Sequence, residues 1–240
     1  MTSPVCATEL VEQGRALVVA LDNPPDNVVT PTMLEGVAEA LGVAAAEGGP
    51  DLVVLTGRER VFSKGFDLAT IRSHRDQVAH RASLTMCNEV VNRLEAFPKP
   101  VIAAINGHCL GAGLELAMAC HIRLCVEKAR VGLPELSRGL IPGLGGIPRL
   151  TRLVGRAKAL ELIAAGDLIT AEEAHRLGLV NRVLPRAGFM DGVLAFARAV
   201  LSVDQALIRE VVRLSGAAPP AGHHDLLREV ESAVRVAGTR

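Results

Sequence analysis

The sequence predicts an α/β domain of largely parallel strands followed by a helical C-terminal region. Three observations lead there. Short apolar runs alternate with segments of helical spacing, a pattern that parallel strands joined by right-handed crossovers produce. Clusters of Gly, Pro, Asn and Asp separate those runs. Beyond Gly146 the pattern turns helical to the end, broken by Gly166, Gly178 and Pro219-Pro220.

Val5 to Leu21 holds two extended candidates with a Gln13-Gly14 turn between them, and Arg15–Leu21 is the stronger strand. Asp22-Asn-Pro-Pro-Asp-Asn27 is a turn cluster. Thr30 then stands in N-cap position before Pro31, where the fixed φ of proline suits a first helical turn. That helix carries Met33, Leu34, Val37, Ala40 and Leu41 at helical spacing and is expected to end at Gly48-Gly49. A buried strand, Leu52–Thr56, leads to the loop Phe62-Ser-Lys-Gly-Phe-Asp-Leu68 and to a helix from about Asp76 to Leu94. Pro98-Lys-Pro100 introduces the strand Val101–Ile105. The segment Asn106–Gly113 follows, with a helix opening near Ala112, and His121–Val126 reads as one more strand.

With 240 residues the chain fits one domain, or one domain with a helical appendage, and it can bury a sizeable core. We divide it into a core of residues 1–185 carrying the candidate site and a helical region, 186–240, for packing or self-association. At 49% hydrophobic it is a folding sequence, not a disordered one. Its 26 basic and 26 acidic residues cancel, which argues against a duplex-binding surface. Trp and Tyr are absent, so base-stacking platforms are not expected either. No run is long and apolar enough to span a membrane, and the N-terminus lacks the basic start and apolar stretch of a signal peptide. The five cysteines (Cys6, Cys87, Cys109, Cys120, Cys125) include no Cys-x-x-Cys spacing and read as small buried apolar residues in a reducing compartment. The expected location is cytoplasmic.

Two glutamates draw the chemical argument: Glu115 in Leu110-Gly-Ala-Gly-Leu-Glu115 and Glu135 in Gly132-Leu-Pro-Glu135. Two carboxylates facing one pocket can hold a water between them and move its protons. Two Gly-containing loops accompany them. Gly65 lets the backbone turn so that the Phe66 amide can enter a pocket, and Gly111-Ala112-Gly113 precedes a helix whose first amides are free. Convergent amides of this kind form an oxyanion hole. Each piece alone has a plainer reading: a Gly-x-Gly is a tight turn, and a Glu in a first helical turn compensates the dipole. Lys64, Arg72 and Arg75 are candidates for phosphate contacts or equally for a solvated helix face. His223-His224 point apart on a helix and read as surface, so no metal site is expected.

Together, in this order and spacing, the segments resemble the enoyl-CoA hydratase/isomerase (crotonase) superfamily. Phe62-Ser-Lys-Gly-Phe-Asp-Leu68 is similar to its F-S-x-G-x-D-L loop. Lys99 to Ala117 resembles its K-P-V-I-A-A-x-N-G-x-x-x-G-G-G-x-E-L-A stretch. Gly132-Leu-Pro-Glu-Leu136 with Gly139–Gly146 resembles P-E-x-x-x-G-x-x-P-G-x-G-G. Asn23–Asn27 and Gly166–Asn181 extend the likeness over roughly residues 10 to 185. The resemblance implies a repeated ββα spiral core and a trimer or dimer of trimers. It implies a hydro-lyase adding water to a trans-2-enoyl thioester, with Phe66 and Ala112 amides as the oxyanion hole. Glu115 becomes general base, Glu135 general acid, and Gly143 the neighbour of the water. Lys64, Gly65, Asp67, Leu68 and Gly111 fall among the substrate-binding positions. Coenzyme A enters as part of the substrate, and no other cofactor is implied.

Departures from the pattern are visible. Phe66 stands where the family commonly has a small residue. Ile147-Pro148 replaces a more polar pair, and Pro148 requires a place in the first turn of its helix. The C-terminal segment lacks the Phe or Lys tail that helps hold adenine, which leaves an acyl carrier protein open as alternative carrier. Isomerases on this scaffold usually lose the first carboxylate, so Glu115 favours hydration. A 3-hydroxyacyl dehydratase and a non-catalytic trimeric scaffold stay open as rivals.

Overall fold

The computed structural model describes residues 6–67, 77–216, 230–231 and 234. Leu68, Arg72, Arg75, Pro219-Pro220 and His223-His224 lie outside them. A six-stranded sheet has the order β1-β2-β3-β5-β7-β10, and a four-stranded sheet has the order β4-β6-β8-β9. The larger sheet comprises β1 (Cys6–Val11), β2 (Ala16–Leu21), β3 (Leu52–Gly57), β5 (Val101–Ile105), β7 (Ile122–Val126) and β10 (Arg182–Leu184). The smaller comprises β4 (Val61–Ser63), β6 (His108–Leu110), β8 (Arg130–Gly132) and β9 (Ile169–Thr170). Among the described residues only β1-β2 and β8-β9 pair antiparallel.

Strands alternate between the sheets along the chain. Each of β3, β5 and β7 is followed by a short strand of the small sheet, β4, β6 or β8, before the chain crosses back. That alternation is the ββα spiral of a crotonase fold. All six positions of β3 are buried, as are all five of β5, so both faces are covered and their apolar runs are continuous.

The first helix, α1 (Pro31–Ala45), is capped by Thr30, whose Oγ1 accepts the Met33 amide at 3.1 Å. Its buried face is Met33, Leu34, Val37, Ala40, Leu41 and Ala44. Each of the larger of these side chains contributes roughly 1.5–3 kcal/mol by leaving water. The helix stops at Ala45, short of the expected Gly48-Gly49, because Ala46 turns extended. The buried Lys99 Nζ donates to the carbonyls of Ala44 (2.6 Å), Gly49 (3.3 Å) and Pro50 (3.0 Å), closing the helix end. Lys99→Met leaves those carbonyls without their charged donor and is expected to cost about 2–3 kcal/mol. Urea denaturation checks it; a loss below about 0.5 kcal/mol would remove this account of the cap.

Helix α2 (Gln77–Glu95) packs against α1 and against α3 (Ala112–Ala119). A 3₁₀ turn, η1 (Glu135–Arg138), follows β8. Then come α4 (Gly146–Val154), α5 (Arg156–Ala165), α6 (Ala171–Arg176), α7 (Phe189–Leu201) and α8 (Gln205–Ser215). Pro148 is the third residue of α4, a first-turn position where its missing N–H has no intrahelical partner to lose. The expectation of purely helical structure beyond Gly146 is corrected by β9 and β10. Both are very short, and both exist by pairing with distant strands, β8 and β7. Four cysteines are buried and Cys6 is half-buried, all as free thiols.

Candidate active site

The three parallel strands β4, β6 and β8 lie side by side, so the residues that leave their C-terminal ends meet. Those residues are Gly65-Phe66, Gly111-Ala112 and Pro134-Glu135. One pocket is lined by them together with Lys64, Glu115 and Gly143, and by His80, Leu84, Arg138, Leu140 and Ile141. Eight of the ten residues assigned to the site from sequence therefore line a single cavity. Asp67 follows Phe66 without lining it, and Leu68 lies outside the described residues.

The two loops touch. Gly65 has φ +90°, and a Cβ there would stand 2.9 Å from the Leu110 carbonyl oxygen and 3.2 Å from the Ala112 nitrogen. Glycine meets both conditions, the positive φ and the close backbone approach. The Gly65 carbonyl accepts the Val29 amide at 2.9 Å. In a planar trans peptide the next N–H, on Phe66, points the opposite way. Likewise the Gly111 carbonyl accepts the Glu115 amide at 3.0 Å inside α3, which turns the Ala112 N–H out of the helix end. Among the described residues no hydrogen bond engages either amide. Phe66 packs its ring partly into the core, so the large residue is absorbed by packing while its amide stays available.

Glu115 is 1% exposed. Its Oε1 accepts the amides of Leu144 and Gly146, both at 2.8 Å. A Cβ on Gly146 would fall 2.7 Å from that oxygen, so only glycine lets the loop approach the carboxylate this closely. Burial raises the Glu115 pKa, while the loop amides and the charge of Arg149 pull it back. Glu135 begins η1 and has one carboxyl oxygen 2.9 Å from where a Cβ on Gly111 would sit. Its Oε2 is buried without a hydrogen-bond partner among the described residues. Burial first, and the Glu115 charge second, push the Glu135 pKa up to about 8. The amides stabilise charge on Glu115, whereas the orphaned oxygen of Glu135 has no donor. At neutral pH the shared proton therefore resides on Glu135.

A support network holds the Glu115 loop, and the sequence reading missed it. Asn88 on α2 donates to the Gly143 carbonyl at 2.7 Å. Arg149, with a side chain 1% exposed, donates to the Leu144 carbonyl at 2.7 Å and to Asn92 Oδ1 at 2.8 Å. Its Nε and Nη2 both reach Glu95 Oε2, at 3.0 and 2.7 Å. Arg149 was findable only as a cation within the first turns of a half-buried helix; its partner lies 54 residues away. Lys64, a candidate phosphate contact, pairs with Asp26 at 2.7 Å.

Fold and site together define a class: a crotonase-type α/β spiral whose pocket sets two carboxylates beside two unengaged amides. The chain belongs to the enoyl-CoA hydratase/isomerase family, whose profile matches residues 12–215. A 164-residue stretch is 44% identical to the probable enoyl-CoA hydratase of Bacillus subtilis (strain 168), covering 68% of this chain and 64% of that protein. Over 239 residues the chain is 33% identical to the glyoxysomal fatty acid beta-oxidation multifunctional protein MFP-a of Brassica napus, covering 98% of this chain and 33% of that one. The chain thus matches less than two thirds of the length of either relative. Among solved structures, an enoyl-CoA hydratase from Bacillus anthracis superposes with TM-score 0.84 at 30% identity, over 96% of this chain and 90% of that one. An enoyl-CoA hydratase/isomerase from Xanthobacter autotrophicus Py2 gives 0.86 at 31%, over 99% and 87%.

Proposed function

We propose that this chain is an enoyl-CoA hydratase, adding water reversibly to a trans-2-enoyl thioester to give the 3-hydroxyacyl thioester. The observation that carries the reading is that Glu115 and Glu135 line one pocket with the Phe66 and Ala112 amides. The thioester oxygen lies at those two amides, which stabilise it as enolate charge develops. Glu115, charged and fixed by loop amides, takes a proton from a water held beside Gly143 as that water attacks the β-carbon. Glu135 delivers its proton to the α-carbon. Water addition transfers no electrons, so the reaction calls for no redox cofactor, and coenzyme A takes part as a portion of the substrate.

Loss of crotonyl-CoA absorbance on mixing with the protein tests the reading. Unchanged absorbance across enoyl thioesters of several lengths, on CoA and on acyl carrier protein, would sink it. A pH profile tests the assignment of roles. Since Glu135 must enter the reaction protonated and its pKa in the free chain lies at about 8, kcat/KM is expected to fall as pH rises through that value. Beyond it the fall should approach tenfold per pH unit. A profile flat to about pH 10 would contradict the acid role of Glu135.

The reading extends to assembly and place. We assign residues 1–185 to the catalytic core and 186–240 to packing and self-association, as a trimer or dimer of trimers. Support comes from α8, which leaves Leu207, Val211 and Leu214 exposed at helical spacing. No helix among the described residues is long and apolar enough to cross a membrane. The free thiols support a reducing, cytoplasmic setting.

A further inference from the structure

The pocket wall carries a cation that the hydration mechanism does not use. Arg138 closes η1, three residues after Glu135. In a 3₁₀ turn, side chains at i and i+3 eclipse, so Arg138 shares the Glu135 face and stands about 6 Å further along the axis. Arg138 lines the pocket together with the apolar Leu84, Leu140 and Ile141. Among the described residues it makes no hydrogen bond and no ion pair, unlike Lys64, which Asp26 neutralises at 2.7 Å. The charge also works against the chemistry proposed above, because it draws the Glu135 pKa down while the acid must keep its proton. A pocket-lining guanidinium that opposes the acid and has no partner among the described residues is suited to an anion brought by the substrate.

We propose that Arg138 binds a carboxylate at the distal end of the acyl chain, making the preferred substrates thioesters of dicarboxylic acids. The inference rests on the acyl-thioester reading of the pocket. Leu84, Leu140 and Ile141 receive the methylene segment, and the guanidinium fork takes the terminal carboxylate through paired N–H donors. The anion neutralises Arg138 on docking, which removes its pull on the Glu135 proton at the moment the acid is needed.

Calorimetric titration with adipyl-CoA and hexanoyl-CoA tests it, because the two have equal carbon counts and differ in the terminal carboxylate. Both are saturated, so no turnover intervenes. The wild-type chain is expected to bind adipyl-CoA about fivefold more tightly, the scale of a partly solvated charge pair with good geometry. Arg138→Leu should bring the ratio near one, and Arg138→Lys should keep part of it. Equal binding of the two thioesters by the wild type overturns the proposal. So does an Arg138→Leu variant that keeps the ratio while weakening both, which would place the CoA phosphates at Arg138 instead. If adipyl-CoA is preferred through Arg138 but no enoyl thioester, with or without a distal carboxylate, is hydrated, the anion subsite stands and the hydratase reading falls.

Discussion

Replacing Glu135 with glutamine is expected to lower kcat for crotonyl-CoA by about 10²–10⁴-fold, the range a positioned general acid supplies. The amide keeps the shape of the protonated carboxyl and cannot give up a proton to the α-carbon. KM should move far less, since in the proposed mechanism the Phe66 and Ala112 amides hold the thioester. The same substitution has a signature in stability. Burial and the Glu115 charge raise the Glu135 pKa from 4.5 to about 8, so the folded chain holds a proton that the unfolded chain releases. That contribution to stability is complete below about pH 4.5 and is lost as pH rises through about 8. The wild-type thermal midpoint should therefore decline across that window, and the decline should be shallower in Glu135→Gln. A variant retaining full hydration activity would remove Glu135 from the mechanism. Parallel pH–stability curves would show instead that the carboxyl is not held protonated.

Glu135 also marks where the sequence was legible and where it was not. The strands Leu52–Gly57 and Val101–Ile105 announce themselves because burial on both faces demands unbroken apolar runs. Thr30 and Pro31 fix the start of α1 by local chemistry alone, a cap oxygen and a preset φ. The strands that assemble the site are of another kind. Val61–Ser63, His108–Leu110 and Arg130–Gly132 are three residues each, too short for any period, and they exist through pairing with one another. The motifs singled out Gly65, Gly111, Glu115 and Glu135, and all four line one pocket, although the small sheet that gathers them was invisible. Asn88, Asn92, Glu95 and Arg138 stayed hidden because a polar residue on a helix looks solvated until its neighbours in space are known. Their roles depend on contacts made across the fold, and local propensity carries no trace of those.

The support behind Glu115 yields the largest expected effect on stability. Arg149→Met should cost about 2–4 kcal/mol and lower kcat along with it. Arg149 is buried and gives two N–H donors to Glu95 Oε2, and removing it takes both from that oxygen while Arg152 stays on Oε1 at 2.6 Å. The Arg152 pair and the 27% exposure of Glu95 keep the loss below the cost of a fully buried orphan charge. The Leu144 carbonyl and Asn92 Oδ1 lose their donors as well. Catalysis suffers through the backbone: the residue whose carbonyl Arg149 holds is the one whose amide fixes Glu115 Oε1 at 2.8 Å. With the loop loosened, Glu115 loses its aim and the positive charge that favours its ionised form. Arg149→Lys separates the two effects. It restores a charge, but a single ammonium cannot reproduce the fork to Glu95 while also reaching Leu144 and Asn92. The acidic limb of the pH–rate profile should then stay near that of the wild type while kcat remains depressed. In Arg149→Met that limb should shift to higher pH, because Glu115 ionises less readily without its neighbouring cation. Denaturant unfolding of Arg149→Met within about 0.5 kcal/mol of the wild type would show that α4 and its loop stand without this anchor. An unshifted acidic limb in that variant would show that Arg149 acts on Glu115 by geometry alone.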